Sequence, residues 1–572
     1  MPDWSVAKLP AGAARKQQFI ELVRYRVTLS PGCRIGPWRS CQRALPAKQE
    51  FCSVAGEFVR FSDLSFLWWL QLFGICVKIV KKGVRVVKKL CFLLVLLLLL
   101  TGCGQEAAPG NTTLEPKMVT FDFYAINDLH GRFDDTADQP GLDELSTYLK
   151  MQSGNTILLS TGDMWQGTSE SNLTRGFIIT EWMNDMDFTA MTLGGHEFDW
   201  GEEWTRKNCE LAEFPFLAIN IFDRETDQRL DYCQSSVMVE KDGVQIGIIG
   251  AIGDCYNSIS SEFSRGFYFK VGDELTQLVK AESEKLRSEG ADFIVFSIHE
   301  GYDKSTSSTE AKFINDSQLS KYFDPDLTDG YVDLVFEADS HYWYLLQDSN
   351  GVYHMQAGGN NSGISHARVM IDKTTGKAQV LKAELLEENA YQYQHDDPIV
   401  DQLLEKYAEE IAPATKVLGH NGDYRSGSDI CQLVAQLYCE KGLEKWGSEY
   451  DIVLGGGFMS CRSPGYLSAG QVTYSQVQAV LPFDNTITLC SIRGRDLISR
   501  FLETSNKSYY IQTSAYGDSI RGSIDPEGTY YVVTDSYSAY YSYNNLTVID
   551  TYGENIFARD LVADHITAGG WS

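Results

Sequence analysis

Val119-Thr120-Phe121-Asp122-Phe123-Tyr124-Ala125-Ile126 runs directly into Asn127-Asp128-Leu129-His130-Gly131. The first stretch alternates apolar and polar residues, which predicts a strand. Just past its end stand a carboxylate and an imidazole two residues apart, so both can turn toward one point once the chain leaves the sheet. The same arrangement recurs. Thr156–Ser160 precedes Thr161-Gly162-Asp163, Ala190–Leu193 precedes Gly194-Gly195-His196, Phe293–Ile298 precedes His299, and Val332–Phe336 precedes Glu337; Gln245–Ile249 is a further apolar run. Between them lie helical stretches such as Asp143–Met151 and Glu274–Ser288. Strands alternating with helices predict a layered α/β domain. Polar motifs at strand C-terminal ends are where such folds place their sites.

Those motifs carry the chemistry. Gly162-Asp163-Met164-Trp165-Gln166-Gly167 offers a carboxylate after a glycine that lets the backbone turn sharply. Gly194-Gly195-His196-Glu197-Phe198-Asp199 offers an imidazole with a carboxylate three residues on, and His341 closes Asp339-Ser340-His341. A lone Asp or His after a strand is ordinarily a cap or a core residue. Five such motifs in order predict a divalent-metal site, where one carboxylate can bridge two ions about 3.5–4 Å apart.

Asn127–Gly131, Gly162–Gly167 and Gly194–Asp199 resemble the first three blocks of the calcineurin-like metallophosphoesterases, nearest to the 5'-nucleotidases and 2',3'-cyclic-nucleotide phosphodiesterases. The resemblance covers about residues 118–570. It implies an α/β fold with an N-terminal four-layer α/β/β/α domain over 118–390, a linker helix within 391–418, and a smaller α/β substrate-binding domain over 419–572. The helical spacing of Val400, Leu403, Leu404, Tyr407 and Ile411 within Pro398–Ile411 agrees with that linker. Strand-like pieces at Ile452–Leu454, Ile487–Ile492 and Thr529–Thr534 fall in the second domain.

Carried over by position, Asp128, His130 and His341 resemble ligands of a first metal, Asp163 a bridging ligand, and His299 a ligand of a second metal. His196, oriented by Asp199, resembles a catalytic histidine that stabilises the charged phosphoryl transition state. Gly456 and Gly457 fall in a substrate-binding motif. Phe483, in Leu481-Pro482-Phe483-Asp484-Asn485, resembles one wall of an aromatic sandwich around a nucleobase, with Tyr537 as the other wall or as ordinary core. The implied cofactor is a pair of divalent ions (Mn, Zn, Mg or Ca). The implied reaction is hydrolysis of a nucleotide or other small phosphate ester, with metal-bound hydroxide as nucleophile.

The sequence also departs from the pattern. Gly195 stands where the family carries an asparagine that ligates the second metal, and Asp339 stands where it carries a histidine. An aspartate favours a harder ion such as Mn²⁺ or Mg²⁺. The expected second site is Asp163, His299 and Asp339 with one ligand missing. In the second domain the family's Asn-Gly-Gly-Gly-x-Arg becomes Leu454-Gly455-Gly456-Gly457-Phe458-Met459. Arg425 and Arg462 are candidates to replace the lost arginine. These changes keep a second expectation open: a degenerate surface protein that binds nucleotides or phosphate esters with little turnover.

Charge and leader complete the reading. The chain of 572 residues has a formal net charge of -28, which excludes a nucleic-acid-polymer binder in need of a basic face. The first 103 residues hold 16 Lys/Arg and 5 Asp/Glu, a net of +11, so the remainder carries -39. Lys78, Lys81, Lys82, Arg85, Lys88 and Lys89 precede the apolar run Leu90–Leu100, which at 11 residues is shorter than a membrane span. Leu100-Thr101-Gly102-Cys103 follows and resembles a bacterial lipobox, which implies a leader over 77–103, lipidation at Cys103, a tether over 104–117 and anchoring at the outer face of a bacterial cell membrane. Residues 1–76 are expected to be an upstream extension ahead of a true start near Val77. Beyond Cys103 stand seven cysteines, none in a C-x-x-C pair. A zinc–thiolate site is therefore not expected, and an odd count leaves at least one thiol unpaired unless it bonds another chain.

Overall fold

The computed structural model describes residues 117–133, 141–256, 259, 263–302, 312–313, 325–391, 397–456, 461–462, 464–502, 509–511, 520–542, 545–553 and 556–571. The leader, Cys103 and the tether up to residue 116 lie outside them, as do Gly457, Phe458 and Met459. The described residues belong to one compact unit, Leu114–Ser572. Among them no helix is long and apolar enough to cross a membrane.

Two sheets form the N-terminal part. The first has six strands in the order Lys377–Glu387, Gly363–Asp372, Met118–Ile126, Asn155–Ser160, Ala190–Thr192 and Phe216–Leu217. The second has seven, with Phe293–His299 paired in parallel to both Val244–Ile252 and Leu334–Phe336. Side-chain alternation decides what each face meets. Phe121, Phe123 and Ala125 pack with Ile246, Ile248, Phe293 and Val295 in a core between the sheets. Tyr124 and Ile126, on the other face, join Leu145, Trp182 and Met183 of the helices Leu142–Lys150 and Phe177–Asp185. Ile294, Phe296 and Ile298 face Leu275, Val279 and Leu286 of the helix Asp273–Ser288. The order is thus helix, sheet, sheet, helix, as the resemblance implies. Each fully buried aromatic of the central layer contributes about 1.5–3 kcal/mol.

Pro398–Ile411 forms two short helices, Ile399–Lys406 and Ala408–Ile411, broken at Tyr407. Val400, Leu403 and Tyr407 belong to the same core as Trp182 and Met183, and the Tyr407 hydroxyl donates to Glu181 at 2.9 Å. This segment is therefore packed along the first region rather than suspended between two. The C-terminal part is a five-stranded sheet, ordered Tyr509–Ile511, Ile452–Gly456, Thr529–Asp535, Ile487–Arg493 and Thr547–Thr551. The helix Gly427–Trp446 packs on it, started by a reciprocal cap between Ser426 and Asp429.

One buried ion triad ties the second sheet together. His354 is fully buried, with Nδ1 3.4 Å from Glu337 Oε1 and Nε2 3.5 Å from Asp348 Oδ2. Burial opposes its charge, but Glu337 and Asp348 outweigh that and push the imidazole up to about 9. A folded value above the unfolded one, about 6.5, contributes stability that is whole below pH 6.5 and is lost as pH rises through 9. Thermal unfolding is therefore expected to show a melting temperature that falls from pH 6.5 to 9.5. His354→Gln is expected to cost about 3–5 kcal/mol at pH 7, because it strands two buried carboxylates, and to flatten that fall.

Candidate metal centre

Strand register assembles the site. Parallel pairing sets Ile126 opposite Ser160, and Ser160 opposite Met191, so three strands end side by side. In the second sheet Ile252 is opposite His299, and Ser297 is opposite Phe336. The loops that follow are then stitched by their backbones: Asp128 N donates to Gly162 O at 3.0 Å, His130 N to Asp163 O at 3.0 Å, and Asn360 N to Asp128 O at 2.7 Å. Asp128, His130, Asp163, Asp339 and His341 all have φ between 49° and 63°. Such left-handed backbone is uncommon away from glycine, and its clustering here marks a centre whose surroundings hold it against strain.

The side chains converge. Ligand atoms of Asp128, His130 and His341 lie within 4.8 Å of one another, and so do those of Asp128, Asp163 and His299. His130 Nε2 and His341 Nε2 are 3.1 Å apart, His341 Nε2 is 3.3 Å from Asp128 Oδ1, and His299 Nε2 is 3.1 Å from Asp163 Oδ2. The far nitrogens are fixed by backbone carbonyls: His130 Nδ1 donates to Gln166 O at 2.9 Å and His299 Nδ1 to Thr161 O at 2.8 Å. Both Nε2 atoms are therefore turned inward. Burial disfavours charge on His299, yet Asp163, Asp128 and Asp339 outweigh it and push that imidazole well up, so its Nε2 faces the Asp163 carboxylate. His299 Nε2 is buried and makes no hydrogen bond. Burial holds His130 neutral by pushing its imidazole down to about 3, and neutral imidazole is the ligating form. Burial alone would raise the Asp163 carboxyl, but the imidazoles of His299 and His196 hold it well below the usual carboxylate range. Buried carboxylates and imidazoles whose ligand atoms converge within 4.8 Å fit a cation.

The carboxylate common to the two groups is Asp128, whereas the resemblance gives the bridging place to Asp163. Asp339 stands at the mouth of the site, its side chain 46% exposed and Oδ1 3.9 Å from His299 Nε2. Its amide donates to Asp128 Oδ1 at 3.1 Å. Gly195 has φ -66° and ψ -42°, an ordinary helical backbone that any residue adopts.

His196 lies beside this cluster. Its Nδ1 donates to Asp199 Oδ2 at 2.8 Å, and its Nε2 is 3.9 Å from Asp163 Oδ2. Burial disfavours its charge, yet Asp199 and Asp163 prevail and push it up to about 9, so the ring is a cationic donor at neutral pH. Phe483 stacks on it, ring centroids 5.5 Å apart at 19°, and the Arg462 guanidinium lies 4.9 Å from the Phe483 ring centre. These residues line a cleft of about 750 Å³ with His130, His341, Arg132, Gln166, Asn360 and Gln476.

The structure brings together Asp128, His130, Asp163, His299 and His341, as the sequence motifs predict, but sequence reasoning missed their support. Glu197 received no role, yet its buried carboxylate accepts from Asp163 N at 2.8 Å, Met164 N at 2.8 Å and Gly194 N at 2.6 Å. It joins the two loops that carry Asp163 and His196. The available signal was a second carboxylate, Glu197, directly after His196 in Gly194-Gly195-His196-Glu197-Phe198-Asp199. Other expected positions stand apart. Among the described residues lining the cleft, Phe483 and Arg462 appear, and Gly456, Tyr537 and Arg425 do not. Gly456 sits in a strand, where a Cβ would come within 2.9 Å of Phe501, and Leu454 is fully buried in the core beneath. Arg425 lies over Trp571, 5.2 Å from its ring centre.

Comparison with known proteins agrees with this geometry. No family model matches the chain. It is 25% identical to the protein UshA of Yersinia enterocolitica over 476 residues, covering 74% of this chain and 82% of that one. It is 23% identical to a 5'-nucleotidase of Vibrio vulnificus over 463 residues, 72% of this chain and 80% of that one. The fold matches that of a 5'-nucleotidase precursor from Thermus thermophilus with a TM-score of 0.58 and 18% identity, over 79% of this chain and 97% of that one. Relatives that span both halves of the chain, a shared fold and converging carboxylates and imidazoles lead to one conclusion: the chain is similar to 5'-nucleotidases in sequence and fold, and is a hydrolase acting on phosphoric ester bonds.

Proposed function

We propose that the chain hydrolyses nucleotides, as a 5'-nucleotidase, a 2',3'-cyclic-nucleotide phosphodiesterase or both, and that it does so outside the cell, anchored through Cys103. The observation that carries the reading is the convergence of Asp128, His130, Asp163, His299 and His341 beside the His196–Asp199 pair. Asp128, His130 and His341 would hold one divalent cation, and Asp163 and His299, with Asp128 or Asp339, a second. Such cations supply an acidified water and neutralise charge on the phosphoryl oxygens. The chain's own residues do the rest. His196, charged and aimed by Asp199, donates toward the oxygen where negative charge develops. Glu197 keeps the Asp163 and His196 loops at fixed spacing. Phe483 and Arg462 wall the cleft on the side of the second domain, an apolar face and a cation suited to a base or ester group next to a phosphate. The nucleotide preference is supported by the Vibrio vulnificus relative, a 5'-nucleotidase by name. The basic, apolar and Cys103 order of the leader supports the location.

A second reading, a phosphate-ester-binding surface protein with little turnover, draws on Gly195, which offers no side-chain ligand, and on Leu454, which is buried away from any base.

Purified protein supplied with Mn²⁺ is expected to release phosphate from a nucleoside monophosphate and from a chromogenic phosphate ester. Silence across Mn²⁺, Zn²⁺, Mg²⁺ and Ca²⁺ with both esters would remove the hydrolytic reading and leave the binding one. His196→Gln is expected to lower kcat by about 10²–10³, the usual loss when one donor to a developing oxyanion is removed, with metal content unchanged. Gly195→Asn, at a backbone conformation that accepts it, is expected to tighten the weaker cation in equilibrium dialysis and to raise kcat. An unchanged dialysis curve would show that position 195 does not limit the second site.

A further inference from the structure

Cys431 and Cys461 are separated by 30 residues, yet their Sγ atoms lie 3.7 Å apart. Cys431 is buried in the second turn of the helix Gly427–Trp446, and Cys461 is half-buried in the segment that leads to Arg462. The Cys461 thiol also faces Gly427 O at 3.6 Å, one helical turn before Cys431, so both sulfurs sit over one face of the helix start. Gly427 packs at the same place: a Cβ there would come within 2.8 Å of Gly465 O and would reach ordinary contact, 3.6 Å, with the Cys461 Cβ. The region is held by more than these sulfurs, because Arg462 N donates to Val480 O at 3.1 Å. A formed bond is about 2.05 Å long, so the two sulfurs, 3.7 Å apart, already stand close to bonding distance.

We propose that Cys431 and Cys461 are a covalent cross-linking site, joined as a disulfide by exchange with a small-molecule disulfide. The more exposed thiol, Cys461, attacks first as its thiolate, forming a mixed disulfide and releasing one small thiol. The Cys431 thiolate then displaces the second small thiol and closes the bond. Two cysteine thiols are oxidised, and one small disulfide is reduced to two thiols. The neighbouring Cys431 thiol and burial push the Cys461 thiol far up. Exchange proceeds through the thiolate and is therefore faster in alkali. Once closed, the bond ties the backbone at Arg462, whose guanidinium sits over Phe483 in the cleft, to the start of the long helix.

The test is peptide mapping of the full chain after incubation with oxidised glutathione at pH 8.5, with thiols alkylated under denaturing conditions and the digest kept unreduced. The proposal expects one peptide joining Cys431 to Cys461, about 2 Da lighter than its two reduced parts. It also expects a melting temperature that falls by several degrees on adding dithiothreitol. Cys461→Ser, at a half-exposed position, should lose both the linked peptide and the dithiothreitol effect, and Cys431→Ser should do the same. Recovery of both cysteines singly alkylated after oxidation would overturn the proposal, as would Cys461 found linked to Cys439. Neither readout depends on phosphoesterase activity, so the outcome stands apart from the functional reading.

Discussion

Parallel pairing of Met118–Ile126 with Asn155–Ser160, and of that strand with Ala190–Thr192, governs where each chemical group is delivered. Side chains alternate along a strand, but only past its end can the chain turn several residues toward one point. Because the three strands stop in register, the loops at Asp128, Asp163 and His196 start from neighbouring places and bond to each other through backbone amides. The second sheet brings His299 and Asp339–His341 to the same rim. A slip of one residue in any of these pairings would turn the core-facing side chains outward. Apolar packing between the sheets therefore fixes the polar geometry at their edge.

That geometry is electrostatically demanding. Asp128 and Asp163 are buried beside four imidazoles; Asp128 accepts from Asn127 Nδ2 and Asp339 N, and Asp163 from His196 N, but two buried carboxylates this close still call for a counter-charge. Glu197 resolves part of the demand by accepting three backbone amides, which leaves Asp163 free to face inward. A divalent cation held by Asp128, His130, Asp163, His299 and His341 would offset the remainder, turning inward-facing lone pairs from a cost into ligation. The net charge of the body does not oppose an anionic ester over this distance, because screening acts within about 8 Å at physiological salt.

Most of this was legible in the sequence because the strands are strongly apolar and their endings are chemically marked. Asn155–Ser160, Phe293–His299 and Ile487–Arg493 lie within two residues of where their composition puts them. The antiparallel edge was not read. The hairpin Gly363–Asp372 with Lys377–Glu387 has many charged residues on its open face, which dilutes the apolar signal, although Thr374-Thr375-Gly376 marks its turn. The site residues were visible as motifs, but their spatial division was not. Nothing in linear spacing says that Asp128, rather than Asp163, is common to both ligand groups. Tyr537 and Gly456 were drawn from resemblance in the region where the sequence departs most from the family, and there the cleft is lined by other residues.

The second domain enters the site through Phe483, and its neighbour explains how. Asp484 pairs with Arg559 of its own domain and, at 3.2 Å, with Arg175 from the first. Arg559 is buried, so removing Asp484 would strand a desolvated cation, a far larger penalty than losing a surface pair. The carboxylate is thus committed to both halves at once, and the adjacent Phe483 ring is carried onto His196 as a consequence. Stacking there covers one face of the imidazole with an apolar ring. Phe483 and Arg462 of the second domain thus face the same cleft as His196 of the first, so the cleft is walled by both domains at once.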